Sequence, residues 1–341
     1  MIRYLNRHGD IDEIARIPTV NIFNNLTEKA PKFGFIIPTY KRADLLPFAI
    51  DSIRGQETDV PFEILVVDDN PERGDGTEQL MTSRYNIPGI AYYKNTINHR
   101  QENNWNKLFA LARTEWMIML HDDDMLFPDY MKCLIECMTH YPNNIGGFFP
   151  SFIGWESSDG QLPERQRKTI HARVIKEVDF LQGCILGAPL GMCVRRDVVN
   201  KIGGVNKNSS VAVDYDFYNR YVKQTDVVKM YNYPLGAWRI MDNVSQKVST
   251  VLFCVDWGDV LKMDTLEDCG LRWLNPLFKH YLRGFDEQHI RNWYREMGKE
   301  IDTSTLRPCS TFDKIVYKVF RFYFAIKRRM RKGSQEIKVI I

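Results

Sequence analysis

The stretch WMIMLHDDDMLFP, residues 116–128, decides how this chain is read. Its five leading apolar residues are too few for a helix and suit a buried strand. The strand runs straight into three adjacent carboxylates, Asp122, Asp123 and Asp124. Pro128 then enters a helical pattern, FPDYMKCLIECMTHYP. Three like charges side by side repel and call for a counter-charge. The same order recurs upstream. FGFIIP (33–38) precedes the helical spacing of ADLLPFAIDSIRGQ, FEILVVDD (62–69) precedes the turn-rich NPERGDGTEQL, and GIAYYKN (89–95) precedes NNWNKLFALARTE. Strands alternating with helices at this pitch predict an α/β domain with a mostly parallel sheet. Such sheets bind ligands outside the carboxyl ends of their strands. PTYKR, VVDD and HDDD all sit at such ends, so three polar clusters are expected on one rim.

The remaining chain is less explicit. GMCVRRDVVNKIGG reads as a strand entering a helix closed by Gly203 and Gly204, VDYDFYNRYVKQ as a helix, and the region beyond about 251 as helical. The polar stretch before residue 33, broken by Pro18 and Pro31, reads as an irregular N-terminal extension.

Composition narrows the classes. The 341 residues are 44% hydrophobic and 26% charged, as in an ordinary globular protein. With no apolar run of membrane-spanning length and no leader pattern, the expectation is a cytoplasmic protein that does not cross a membrane. Seven cysteines without a CxxC pair argue for reduced, mostly buried thiols. The net charge of +3 hides a split: from Phe312 onward nine Lys/Arg face two acids. The main body is therefore slightly acidic, which argues against nucleic acid as a partner.

The rim residues carry definite chemistry. Asp122, Asp123 and Asp124 suit Mn²⁺ or Mg²⁺, hard cations that take carboxylate oxygens together with substrate phosphates. Asp68 and Asp69 suit a base imide or ribose hydroxyls, or equally a turn and helix cap. Arg42, with Lys41, can meet phosphate. Asp214 is either a helix cap or a base for an attacking hydroxyl. Arg239 and Asn243 are candidates for diphosphate contact.

Taken together, these motifs resemble the family 2 glycosyltransferases of the GT-A fold. IIPTYKR and ILVVDDN match the family's first two strand ends. Asn98 and Asn106 align with its two asparagines without a gap, and the same frame places His121 and Asp123 on the two ends of the DxD motif. VAVDYDFYNR resembles the stretch holding the family's base. The chain departs from the pattern at His121 in place of an Asp, Arg100 in place of a Gly, Trp105 in place of an Arg and Val213 in place of a Glu.

The resemblance implies a Rossmann-like nucleotide-binding sheet and a metal-dependent, inverting transfer from a nucleotide-diphospho-sugar, a UDP-sugar first among them. The acceptor implied is a hydroxyl of a glycan or lipid-linked glycan, as in bacterial surface polysaccharide assembly. It implies donor contacts from Pro38, Thr39, Tyr40, Arg42, Asp69, Asn98, Asn106 and Asp122, metal ligation by Asp123 with Asp122 and Asp124, and Asp214 as catalytic base. Arg239, Asp242 and Asn243 fall on the closing loop. The expected domains are an extension (1–32), a GT-A domain (33–250, with donor half 33–130 and acceptor half 151–250) and a helical C-terminal region (251–341). A non-catalytic relative and a sugar nucleotidyltransferase are the alternatives, although PTYKRADLL lacks the latter's Gly-rich loop. In the tail, Val316, Val319, Phe320, Tyr323, Phe324 and Met330 recur near helical spacing beside dense Lys/Arg. Residues 312–332 thus read either as a helix lying on anionic membrane at the inner face, or as one packed on the body.

Overall fold

The computed structural model describes residues 8–141, 144–156, 160–166, 169–241, 247–296, 298–330 and 337–340. They fall into two compact units, one built from residues 8–175, 186–241 and 337–340, the other from 176–185 and 247–330.

The first unit is a mixed sheet. In chain order its elements are α1 (Ile11–Ala15), β1 (Thr19–Asn24), β2 (Phe33–Thr39), α2 (Leu46–Arg54), β3 (Phe62–Asp68), α3 (Gly76–Arg84), β4 (Ile90–Asn95), α4 (Arg100–Leu111), β5 (Trp116–Met119), β6 (Met125–Leu126), α5 (Tyr130–Thr139), β7 (Gly147–Trp155), β8 (Thr169–Ile175), β9 (Cys193–Arg195), α6 (Arg196–Lys201), α7 (Val213–Val222), β10 (Val227–Arg239) and β11 (Ile337–Ile340). The strand order is β1-β4-β3-β2-β5-β9-β7-β10-β8-β11, with β6 paired to β10. β4, β3, β2 and β5 run parallel, as the apolar runs predict. Phe33 to Ile37 are buried without alternation, because helices cover both faces of a parallel sheet. Each such large apolar side chain contributes about 1.5–3 kcal/mol on burial. Ile50, Ile53, Ile64, Val66, Ile118 and Leu134 share one core.

Within the expected extension 1–32, the described residues 8–32 are not the loose segment their composition suggests. β1 is an antiparallel edge strand on β4, and its Phe23 ring lies 5.9 Å from Tyr92. α1 buries Ile11 and Ile14, while Lys107 of α4 donates to the carbonyls of Ile14 and Ile17 (2.6 and 2.5 Å). An edge strand with one buried side chain has too little apolar content to be read as a strand.

The second unit is helical: α8 (Val248–Asp268), α9 (Asn275–Glu296) and α10 (Thr311–Met330). The segment Lys176–Ile185, expected inside the 33–250 domain, joins it instead, since Leu181 packs with Leu266, Phe278 and Tyr281. α9 and α10 lie antiparallel, Phe278 against Phe320 and Gly284 against Tyr317. A Cβ at Gly284 would come within 2.7 Å of the Tyr317 Cβ, so glycine permits this close approach. The single apolar face expected for the tail is divided between two sides. Val316, Phe320 and Phe324 are buried against α9, whereas Val319 and Tyr323 face outward. The Met330 side chain lies outside the described residues.

Candidate active site

The parallel strands bring PTYKR, VVDD and HDDD to one rim. Thr39 is in register with Asp68, and the Asp69 amide donates to the Thr39 carbonyl at 2.9 Å. The Tyr40 amide lies 3.4 Å from Asp122 Oδ2. Burial and the neighbouring Asp123 charge push the Asp122 carboxyl up to about 7, against the pull of Thr39 and Arg42. Pro38 is half-buried and Tyr40 exposed at this edge. Arg42 reaches from the same loop to within 3.9 Å of Met241 Sδ.

His121, Asp123 and Asp124 form the acidic centre. One potential ligand atom from each lies within 4.8 Å of the others. His121 Nδ1 is 3.8 Å from Asp124 Oδ2, its ring faces Trp105 at 5.7 Å, and its buried Nε2 has no hydrogen-bond partner among the described residues. Burial holds the imidazole below its usual range, toward the neutral form that ligates metals. Asp124 is buried and its carboxyl is raised well above the ordinary range, first by burial and then by Asp123. This donor set fits a hard divalent cation with a borderline imidazole ligand.

A protein counter-charge is also present, from a residue far away in sequence. The Arg239 amide donates to Asp124 Oδ1 (3.1 Å) and its Nε to the Asp123 carbonyl (3.0 Å). Its guanidinium lies over the rings of Trp155 (4.1 Å) and Phe48 (5.3 Å). Stacking holds the cation beside the carboxylates. Asp242 and Asn243 lie outside the described residues.

Asp68 and Asp69 separate in role. Asp68 accepts from Tyr92 Oη and Lys94 Nζ (both 2.7 Å), and Lys94 also reaches Asp75 at 2.9 Å. This buried pair ties β3 to β4 and was not legible in the sequence, since a lysine in a strand normally reads as solvated. Asp69 accepts from Asn95 Nδ2 and the His99 amide, both at 2.8 Å. It thereby orders the turn into α4, and burial raises its carboxyl to about 6. Asn98 is exposed on that turn, donating to the Asp69 carbonyl at 3.3 Å. Arg100, in place of the family glycine, has φ +62°, the left-handed conformation glycine adopts at least cost.

Asn106 turns to the Val205 backbone. Its amide exchanges two bonds with the Val205 backbone (2.9 and 2.8 Å) and is fully buried. Gly204 permits the approach, since a Cβ there would lie 2.2 Å from Asn106 Oδ1. The same loop receives Arg220 Nη1 at the carbonyls of Ile202 and Gly204 (2.9 Å each), and Arg220 pairs with Asp216 at 2.8 Å. One turn along α4 from Trp105, Phe109 stacks on Phe217 of α7 at 5.6 Å. α4 therefore touches His121 with Trp105, the 202–205 loop with Asn106, and α7 with Phe109. Asp214, in the first turn of α7 and one turn before Phe217, is set by this framework. Burial raises its carboxyl to about 6, and one oxygen accepts from the Tyr215 amide at 2.7 Å. Asn106→Ala is expected to cost about 2–4 kcal/mol in urea unfolding, because both Val205 groups lose buried partners.

The sheet edge, the acidic centre on it and the Asp214 carboxylate at the start of α7 are the parts of the candidate site. Residues 35–203 match the family model of glycosyl transferase family 2, and the chain belongs to that family. It is 35% identical over 109 residues to the GalNAc(5)-diNAcBac-PP-undecaprenol beta-1,3-glucosyltransferase of Campylobacter jejuni, covering 31% of this chain and 34% of that one. The chain spans at most 62% of the length of the curated relatives it matches. Among solved structures it resembles S. aureus TarS 1-349 in complex with UDP-GlcNAc (TM-score 0.52, 14% identity, 79% of this chain and 92% of that one). It also resembles the mannosyltransferase PcManGT of Pyrobaculum calidifontis in complex with GDP-Man and Mn²⁺ (TM-score 0.50, 11% identity, 94% and 87%). These likenesses establish the α/β fold of GT-A type. Among the described residues no helix is long and apolar enough to cross a membrane.

Proposed function

We propose that this chain is an inverting, metal-dependent glycosyltransferase that moves a sugar from a nucleotide-diphospho-sugar to a hydroxyl of a glycan or lipid-linked glycan. The observation that carries this reading is the grouping of His121, Asp123 and Asp124 on the rim shared with Thr39, Tyr40 and Asp122. The nucleotide-sugar complexes of the two structural neighbours support the donor class, and Mn²⁺ in one of them supports the metal. The undecaprenol-linked substrate in the Campylobacter relative's name supports a lipid-linked acceptor.

Asp123 and Asp124 would hold the cation, with His121 standing where the family has a third carboxylate. A bound Mn²⁺ or Mg²⁺ supplies positive charge against the diphosphate. Asp122 and the Thr39–Tyr40 edge orient the nucleoside side, and Arg239 adds fixed positive potential close to the acids. Asp214 takes the proton of the acceptor hydroxyl while its oxygen bonds to the anomeric carbon. The bond from that carbon to the diphosphate oxygen breaks on the opposite face, which inverts the centre. A carboxyl raised to about 6 is ionised at neutral pH yet more basic than an ordinary aspartate, as such a task needs.

A thermal-shift panel of UDP, GDP, dTDP and CDP, each with and without Mn²⁺, tests this reading. One nucleotide is expected to stabilise the chain only with metal, by about 2.7 kcal/mol at a hundred times its Kd. Absence of a metal-dependent shift with every nucleotide overturns it.

A further inference from the structure

We infer that the outer face of α10 docks on an anionic lipid surface. The helix leaves Phe312, Ile315, Val319, Phe322 and Ile326 exposed, Phe322 by 70% and Val319 by 59%. Steps of three and four residues place them on one stripe. At 1.5 Å per residue it runs for about 21 Å. A soluble helix turns such a stripe inward, but here the inward face is already made by Val316, Phe320 and Phe324. The helix is thus apolar on two sides, and only one side is covered within its unit.

Charge selects the occupant. Lys318 and Arg321 follow one another along a flank of the stripe after Lys314, which also pairs with Glu287 of α9 at 3.3 Å, and Arg328, Arg329, Arg331 and Lys332 continue in the sequence. The helix has one carboxylate, Asp313, which is committed to Ser310, His280 and Arg283. The three-four spacing also suits a seam between two copies of the helix, but such a pair would face cations with cations, since the acid beside the flank, Glu287 of α9, is already shared by Lys314 and Arg291. An anionic surface neutralises the same cations while the stripe enters the acyl boundary. In the same unit Leu277 of α9 and the adjoining Trp273, 74% exposed, are further large apolar side chains left at the surface. Tryptophan is favoured at such a boundary. Among the described residues no helix is long and apolar enough to cross a membrane, and with its cationic flank this one lies in the interface plane.

The experiment is flotation of the full chain with phosphatidylcholine vesicles, alone or mixed with phosphatidylglycerol. The chain is expected to float with the anionic vesicles and to stay in solution with the neutral ones. Lys314→Gln, Lys318→Gln and Arg321→Gln together are expected to lower partition roughly 100-fold. Ile315→Glu with Phe322→Glu is expected to abolish flotation, and because both positions are exposed, the circular-dichroism melt is expected to stay unchanged. The inference is overturned if the wild type ignores anionic vesicles or if the stripe variant floats like the wild type. It is equally overturned if sedimentation without vesicles shows a dimer that the stripe variant dissolves, since a second copy then covers the face. It does not rest on the acidic rim, and metal-dependent nucleotide binding measured on the same preparations separates its failure from that of the proposed activity.

Discussion

Asp214→Asn is expected to lower turnover by about 10²–10⁴-fold while leaving nucleotide affinity unchanged. The carboxylate is the proton acceptor in the proposed displacement, and the amide cannot take that role. The amide oxygen can still accept from the Tyr215 amide, so the start of α7 keeps its geometry. The variant is also expected to be more stable at neutral pH. Burial raises this carboxyl from 3.8 to about 6, so the folded state holds a proton that the unfolded chain has already released between those values. Stability contributed by this site therefore falls as pH rises from about 4 to 6 and stays low above that range. Removing the charge recovers about 1–3 kcal/mol at pH 7 and nothing below pH 4. Turnover of the wild type should fall as pH drops through about 6, where the base becomes protonated. Single-turnover rates with a nucleotide sugar and melting curves at both pH values check the two effects together. A variant that keeps near-normal turnover removes Asp214 from the mechanism.

Asp123→Ala is expected to cost on the order of 10²–10³ in turnover, matching several kcal/mol of lost charge stabilisation at the diphosphate. It is also expected to abolish the Mn²⁺-dependent part of the nucleotide thermal shift. Without metal the variant should be no less stable than the wild type. Asp123 raises the carboxyls of both Asp122 and Asp124 by repulsion, and its removal relieves both. The Arg239 Nε contact goes to the Asp123 backbone carbonyl and survives the truncation. Retention of the metal-dependent shift in this variant would show that the cation sits elsewhere.

The local patterns were legible because they are written in neighbouring residues. Apolar runs ending in PTYKR, VVDD and HDDD marked β2, β3 and β5, and their parallel pairing follows from the intervening helices. β1 was not legible, since a single inward phenylalanine at a sheet edge leaves no periodic trace. The assignment of Lys176–Ile185 to the helical unit was hidden for another reason: its partners come from residues 266–282. Asn106 shows the limit of motif matching. Its spacing matched the family asparagine, but the structure bonds both ends of its amide to Val205, almost a hundred residues away.

What the sequence determined by itself was the order of strands and helices and the concentration of acid at one strand end. These depend on hydrophobic period and on charge along the chain. Tertiary structure decided which groups share that acid's surroundings: Arg239 stacked between Trp155 and Phe48, Trp105 against His121, and α4 holding the acidic rim and α7 in one frame. Contacts of this kind depend on through-space distance between segments brought together only by folding, and residue spacing along the chain carries no record of it.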